Sequence, residues 1–138
     1  MPVVWITGGA RRIGKGLALR FAERGYDVAF TYNTSGSLAE DVRSRIEAAG
    51  RRCAIARCDV RDTPMLAATM EHFVAEVGLA DVVVSNAGIF PPPASVSATS
   101  LEDLRYVLDV NTFPLYLIAR EYERMVSVEG RSGRIITV

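Results

Sequence analysis

The sequence has no net charge and no long apolar run. Its 16 basic residues are matched by 16 acidic residues, so no electrostatic footprint for nucleic acid or anionic lipid is present. No apolar stretch approaches the roughly 18 residues that a membrane-spanning helix needs, and the first residues do not form a signal peptide. These absences predict a soluble protein that binds neither nucleic acid nor membrane.

Cysteine is scarce, and the two cysteines present are Cys53 and Cys58. Their odd spacing within one apolar run directs them to opposite faces of a strand, which prevents a disulfide between them. Two free, buried thiols suit a reducing compartment, so we expect a cytoplasmic protein. No metal site is predicted.

What the sequence does contain is a regular alternation of short apolar runs and longer amphipathic stretches. This pattern predicts strands of a parallel sheet that is covered by helices on both faces. Right-handed crossovers make such a sheet doubly wound. We therefore expect one α/β domain over residues 1–138, with no internal linker. The predicted strands are 3–7, 27–32, 53–58, 81–85 and 133–138.

Capping residues predict where the helices begin and end. Gly25 marks the end of the first helix. Residues 37–40 read as a capping box for the second helix, and Thr63 as the cap of the third. A second capping box, at residues 100–103, opens a helix that is predicted to continue to about residue 126.

The connection between the first strand and the first helix is rich in glycine. Gly8, Gly9 and Gly14 have no Cβ, so the backbone can turn sharply and bring its N–H groups close to an anion at the helix N-terminus. The P-loop of NTPases fits this stretch until its last position, where Gly16 lacks the hydroxyl that reaches Mg²⁺. The loop therefore favours a dinucleotide, and a glycine turn without a ligand is the other alternative.

The same loop resembles the Thr-Gly-x-x-x-Gly-x-Gly motif of the short-chain dehydrogenase/reductase family. Thr7, Gly8 and Gly14 match, and Arg12 replaces the middle glycine. Further matches follow in the order and spacing of that family, so the resemblance covers the whole chain and implies a Rossmann fold with strand order 3-2-1-4-5. These matches are Asp59 and Val60 after the third strand, Asn86, Ala87 and Gly88 after the fourth, and Asn111 before the fifth.

The resemblance also implies roles for individual residues. Asp59 would accept a hydrogen bond from the adenine amino group, residues 86–88 would form the floor beneath the riboses, and Asn111 would support a water in a proton relay. Without the motif, Asp59 and Asn86 read as turn residues. The implied cofactor-binding set is Thr7, Gly8, Arg11, Arg12, Ile13, Gly14, Asn33, Thr34, Ser35, Asp59, Val60, Asn86, Ala87 and Gly88.

The end of the second strand favours NADP(H) over NAD(H). An NAD enzyme commonly carries a carboxylate there, which would repel a 2′-phosphate. Here that end offers the neutral donors Asn33, Thr34 and Ser35, and Arg11 adds a cation from the loop. The acid of this strand, Asp27, lies at its other end, about 16 Å away at the usual rise per residue. The alternative for Arg11 is a solvated loop charge.

Two further residues bear on the substrate. Arg12 resembles the loop arginine of pteridine reductases, a subgroup of the same family, which faces the cofactor phosphate and the substrate. Phe90 is a candidate aromatic plate for a pterin-like substrate, and an apolar lid or core residue is the alternative.

The chain lacks the residues that carry the family's chemistry. Its single lysine, Lys15, lies in the glycine loop, so no tyrosine heads the Tyr-x-x-x-Lys pair, and the expected serine is also absent. The resemblance thus implies the cofactor-binding half of an NADP(H)-dependent carbonyl or imine reductase, inactive by itself. The alternative is a noncatalytic dinucleotide-binding or interaction module that ends at residue 138. Because further strands pair beyond the fifth in the complete fold, we expect an exposed sheet edge and a homo-oligomer.

Overall fold

Five parallel strands form a single sheet in the computed structural model, which describes residues 1–138. The strands are Val3–Ile6 (β1), Asp27–Tyr32 (β2), Cys53–Arg57 (β3), Val82–Ser85 (β4) and Arg134–Thr137 (β5). Their order across the sheet is β3-β2-β1-β4-β5, and every neighbouring pair is parallel. The predicted strand order is therefore confirmed.

Helices connect the strands and cover both faces of the sheet. They are Arg12–Glu23 (α1), Gly36–Ala48 (α2), Thr63–Val77 (α3), Leu101–Asn111 (α4) and Phe113–Val128 (α5), with a short 3₁₀ turn at Val96–Ala98. One core lies between the sheet and α1 with α2, around Phe30 and Ile46. The other lies beneath α3 and α5, around Trp5 and Phe73. The sheet is thus doubly wound, as the apolar runs predicted.

The two cysteines belong to different cores. Cys53 packs in the core under α1 and α2, whereas Cys58 packs in the core under α3 and α5, and both thiols are free. The predicted placement on opposite faces is therefore confirmed. None of the helices combines the length and the apolar composition that a membrane span requires.

Two of the predicted helix starts are wrong. The second helix begins at Gly36, after Ser35, and no side chain caps it, so the box predicted at residues 37–40 lies inside the helix. The third helix is capped by Asp62, whose Oδ1 accepts a hydrogen bond of 3.0 Å from the backbone N of Met65, and Thr63 is its first residue. The carboxylate of Asp62 extends further than the hydroxyl of Thr63 and accepts from an amide that is otherwise open in the first turn. The box at residues 100–103 is confirmed.

The helix predicted from residue 100 to about 126 is divided into α4 and α5 at Thr112, which has φ −121° and ψ −56°. Pro114 explains the break, because proline lacks the N–H of the helical ladder and its ring clashes with the preceding turn. As a consequence, Asn111 is the last residue of α4 and does not lie in the middle of a long helix.

The last strand leaves one edge of the sheet open. β5 pairs only with β4, and all four of its residues are exposed. Ile135 and Ile136 keep 37% and 44% of their surface accessible, which is high for apolar residues of a strand. The expected exposed edge is confirmed.

Candidate functional site

The glycine loop lies at the carboxyl ends of β1 and β4 and leads directly into α1. Gly8 has a positive φ of 73°, and a Cβ at this position would lie 3.1 Å from Cα of Ala87. A Cβ on Gly14 would overlap the carbonyl oxygen of Gly8 and come within 2.7 Å of Nδ2 of Asn86. The loop and the first turn of α1 therefore touch so closely that only glycine fits at Gly14.

Side chains on both sides of β1 hold this loop in place: Asn86 directly after β4, and Thr31 in β2. Nδ2 of Asn86 donates hydrogen bonds to the carbonyl oxygens of Thr7 (3.0 Å) and Gly8 (3.1 Å). In return, Oγ1 of Thr7 accepts from the backbone N of Asn86 and of Ala87, each at 3.0 Å. On the other side, Oγ1 of Thr31 accepts from the N of Gly8 at 3.1 Å. Thr31 was not predicted, although a polar residue in an apolar strand is a signal for such a role.

The start of α1 leaves its backbone donors open. The residue before the helix, Arg11, makes no side-chain capping hydrogen bond, so the first-turn N–H groups have no side-chain partner. Arg11 and Arg12 are exposed and belong to no ion pair. Ile13, which is in the implied cofactor-binding set, is 61% exposed. This end of the helix offers positive charge and N–H groups to an anion.

Arg12 is the one non-glycine residue with a positive φ, 50°. A side chain in this left-handed region costs about 1 kcal/mol. The position where the family motif has glycine thus keeps a glycine-like backbone although it carries an arginine. Strain of this kind accumulates at functional sites.

We expect Arg12→Gly to unfold at a higher denaturant concentration than Arg12→Ala. Both variants lose the guanidinium group, but alanine keeps the left-handed strain while glycine removes it, which predicts a difference of about 1 kcal/mol in the free energy of unfolding. Urea denaturation followed by circular dichroism measures this difference. An alanine variant as stable as the glycine variant would show that residue 12 carries no backbone strain.

A cation on β3, Arg57, lies beside the end of β2, and sequence reasoning missed it. Asn33, Thr34 and Ser35 follow the strand as predicted, and Nε of Arg57 donates a hydrogen bond of 3.1 Å to the carbonyl oxygen of Asn33. Arg57 is the register partner of Tyr32 and forms no ion pair. A basic residue at the end of an otherwise apolar strand was the available signal.

Asp27 lies at the opposite end of β2, where it is buried with 3% of its surface exposed. Its carboxylate accepts hydrogen bonds from the backbone N (3.0 Å) and Nε (2.8 Å) of Arg52. Burial by itself raises the pKa of Asp27, but these hydrogen bonds and the charge of Arg52 outweigh it and lower the pKa. Asp27 thus anchors the amino end of the sheet, far from the glycine loop.

After β3, the carboxylate of Asp59 is held by Arg61. Oδ1 accepts hydrogen bonds from the backbone N and Nε of Arg61, both at 3.0 Å, and Oδ2 accepts from Nη2 at 2.6 Å. The side-chain hydrogen bonds from Arg61 lower the pKa of Asp59. Cζ of Arg61 lies 5.1 Å from the ring centroid of Tyr106 on α4. Val60 is buried.

Asn111 fixes the segment that follows β4. Its Oδ1 accepts a hydrogen bond from the N of Ile89 (2.8 Å), and its Nδ2 donates to the O of Ile89 (2.9 Å). A Cβ on Gly88 would lie 3.4 Å from Oδ1 of Asn111, which is an ordinary van der Waals contact. Phe90 is 90% exposed and packs in neither core that this chain forms.

The predicted site residues form a continuous edge along the carboxyl ends of the strands. The structure brings the glycine loop together with Asn86, Ala87 and the end of β2. Asp59 lies after β3, and Asn111, at the end of α4, binds the segment that follows β4. No group of three or more His, Cys, Asp or Glu side chains is placed to hold a metal ion. A glycine loop between β1 and α1, beside the point where strand order reverses, defines a dinucleotide-binding domain of the Rossmann type.

Within this class, the match to a family model identifies the family. The family model described as short chain dehydrogenase matches residues 2–138, and the chain belongs to that family. It is 37% identical over 131 residues to a hydroxynaphthalene reductase of Aspergillus fumigatus, covering 94% of this chain and 47% of that protein. It is 35% identical over 136 residues to a cis-4-hydroxycyclohexanecarboxylate dehydrogenase of Sinomonas cyclohexanicum, covering 99% and 53%. The chain thus spans about half the length of these relatives.

Solved structures agree with this assignment. A short chain dehydrogenase from Burkholderia cenocepacia in complex with NADP has a TM-score of 0.88 and 32% identity, with 99% of this chain and 54% of that chain covered. Carveol dehydrogenase from Mycobacterium avium in complex with NAD has a TM-score of 0.91 at 22% identity, covering 99% and 53%, and it supports the fold alone. Structures of this fold therefore hold either dinucleotide.

Proposed function

We propose that this chain is the cofactor-binding half of an NADP(H)-dependent short-chain oxidoreductase. The observation that carries the proposal is the conformation of the glycine loop. The loop leaves no room for a side chain at Gly14, and it is followed by open N–H groups at the start of α1. That arrangement fits a pyrophosphate. When bound, the cofactor would supply the hydride.

The remaining predicted residues line up beside this loop. We assign the pyrophosphate to the backbone of residues 7–14, the adenine amino group to Asp59, and the floor beneath the riboses to residues 86–88. For the 2′-phosphate we propose Arg11, Arg12 and the donors at residues 33–35. Arg57 joins this group, because its guanidinium lies against Asn33 and no acidic side chain neutralises it.

The choice of NADP(H) rests on charge at the end of β2. Asp27 is engaged by Arg52 at the other end of the strand, and the cations Arg11 and Arg57 have no acidic partner. An anionic 2′-phosphate would gain charge-assisted hydrogen bonds there. The NADP bound to the Burkholderia relative is consistent with this choice.

Titration calorimetry with NADP(H) and NAD(H) tests the cofactor. We expect NADP(H) to bind at least about tenfold more tightly, because each charge-assisted hydrogen bond to the phosphate contributes about 1.5 kcal/mol or more. Arg57→Gln and Arg11→Gln are each expected to lower the NADP(H) affinity about tenfold and to leave the NAD(H) affinity unchanged. Arg45→Gln, at an exposed position of α2 without an ion pair, is the control. Equal affinity for both dinucleotides, or tighter NAD(H), would contradict the assignment.

For the complete protein we propose reduction of a small-molecule carbonyl or imine. Asn111 has a supporting role in this proposal, and the acid, base and carbonyl-binding residues lie outside this chain, so the chain alone binds cofactor without turnover. The exposed Phe90, together with Arg12, makes a pterin-like ring one candidate substrate. The two buried free thiols fit a cytoplasmic location.

We also propose that the chain self-associates. An open edge strand presents unpaired backbone N–H and C=O groups, and Ile136 adds exposed apolar surface. Sedimentation velocity is expected to show oligomers that increase with protein concentration. Ile136→Lys should shift the distribution toward monomer, because a charged side chain on an edge strand opposes pairing. A monomer that persists at all concentrations would refute the proposal.

A further inference from the structure

Arg61 connects two elements that the sequence places far apart. Its guanidinium and backbone N give the carboxylate of Asp59 hydrogen bonds of 2.6 to 3.2 Å, and its Cζ lies 5.1 Å from the ring centroid of Tyr106. The loop after β3 is thereby joined to the middle of α4. We call the set of Asp59, Arg61 and Tyr106 the arginine clamp.

We propose that Arg61 and Tyr106 are positioning residues that set the base selectivity of the nucleotide site. The proposal rests on the proposed function, in which Asp59 accepts a hydrogen bond from the adenine amino group. Arg61 acts through Asp59, and Tyr106 acts through Arg61.

The geometry of the carboxylate supports this role. A carboxylate offers about four acceptor positions. The backbone N, Nε and Nη2 of Arg61 occupy positions on both oxygens, so Asp59 is held in one orientation with little acceptor capacity left. A remaining lone pair in a fixed direction selects for a base with an amino donor and against one with a carbonyl oxygen, which the carboxylate repels.

The ring of Tyr106 lies within cation–π distance of Arg61 and would hold the guanidinium group in position. A planar guanidinium stacks on an aromatic face, whereas the ammonium group of lysine has neither the plane nor the fork. The side chains of Asp59 and Arg61 are 32% and 44% exposed, so solvent would otherwise let them move apart. A cavity of about 320 Å³ borders Arg61, with Val60, Asp109 and Phe113 among its other lining residues.

The test compares a dinucleotide with its hypoxanthine analogue, in which a carbonyl oxygen replaces the amino group. The dinucleotide used is whichever of NADP⁺ and NAD⁺ binds to the chain. Calorimetry gives the dissociation constants of this dinucleotide and of its hypoxanthine analogue, and the ratio of the two constants measures the adenine preference. We expect the 138-residue chain to prefer adenine and Arg61→Lys to reduce that preference about fivefold, the effect of about one hydrogen bond. Tyr106→Leu should reduce it to a smaller extent, and Tyr106→Phe, which keeps the ring, should retain it.

Arg20→Lys is the matched control, because Arg20 forms an exposed pair with Glu23 on α1, away from the clamp. If the chain binds no dinucleotide, the proposed function fails and this inference fails with it. If it binds dinucleotide but shows no adenine preference, or keeps its preference in Arg61→Lys and Tyr106→Leu, this inference alone is overturned. The inference would also be overturned if Tyr106→Phe lost as much of the adenine preference as Tyr106→Leu. The hydroxyl group of Tyr106, and not its ring, would then be responsible for the preference.

Discussion

Replacement of Gly14 by alanine is expected to abolish dinucleotide binding and to destabilise the fold by about 3 kcal/mol. The added Cβ would overlap the carbonyl oxygen of Gly8 and press on Nδ2 of Asn86, so the loop must move away from its hydrogen bonds. Backbone atoms yield less readily than a flexible side chain, which makes the cost large. Urea denaturation measures the stability, and calorimetry with NADP(H) measures the binding.

Gly16 provides an internal control on the same helix. A Cβ there would meet no atom within 4 Å, so Gly16→Ala should keep the binding and raise the free energy of unfolding by up to about 1 kcal/mol, the difference in helix propensity. The two alanine variants are thus expected to change stability in opposite directions. Similar behaviour of both would mean that the loop does not pack against the first turn of α1 as described.

The second large effect is expected for Asn86→Asp. The amide nitrogen donates to two carbonyl oxygens at 3.0 and 3.1 Å, and a carboxylate would replace both attractions by repulsion. We expect a loss of about 3 kcal/mol in the free energy of unfolding, since two hydrogen bonds are lost and a charge is placed against acceptors. The affinity for dinucleotide should fall as well, because the loop loses its attachment to β4.

Asn111→Asp is the matched variant for this measurement. It keeps an acceptor for the N of Ile89 and replaces one attraction, to the O of Ile89, by repulsion in a more exposed position, against two such replacements at Asn86. Its cost should be about 1 kcal/mol. An equal cost for both variants in denaturation experiments would argue against a special role of Asn86 in the loop.

The framework of the fold could be predicted because buried parallel strands are apolar along their whole length. The observed β2 agrees with its prediction at both ends, and β4 begins one residue later than predicted. Pro114 was a signal for the helix break at Thr112. The break was nevertheless not predicted, because the helical pattern continues on both sides of the proline. The start of a helix depends on which of several neighbouring polar side chains reaches an open backbone amide. That depends on the three-dimensional path of the chain, which the order of residues does not give.

The candidate site could be predicted only where a residue lies in a local motif. Gly14 and Asn86 were found in this way, but their contact with each other was not. The roles of Thr31, Arg57 and Arg61 depend on side chains that approach from other strands or helices, for which a single sequence contains no pairing information. The identity of the dinucleotide depends on such contacts.

The separation of Cys53 and Cys58 between the two cores gives the chain a built-in kinetic reporter. Burial raises the pKa of Cys53 to about 12 and also raises the pKa of Cys58, so neither thiol reacts readily in the native state. Labelling of Cys53 requires opening of the layer that contains α2, and labelling of Cys58 requires opening of the layer that contains α3. The order in which the two thiols are modified therefore records which helical layer leaves the sheet first.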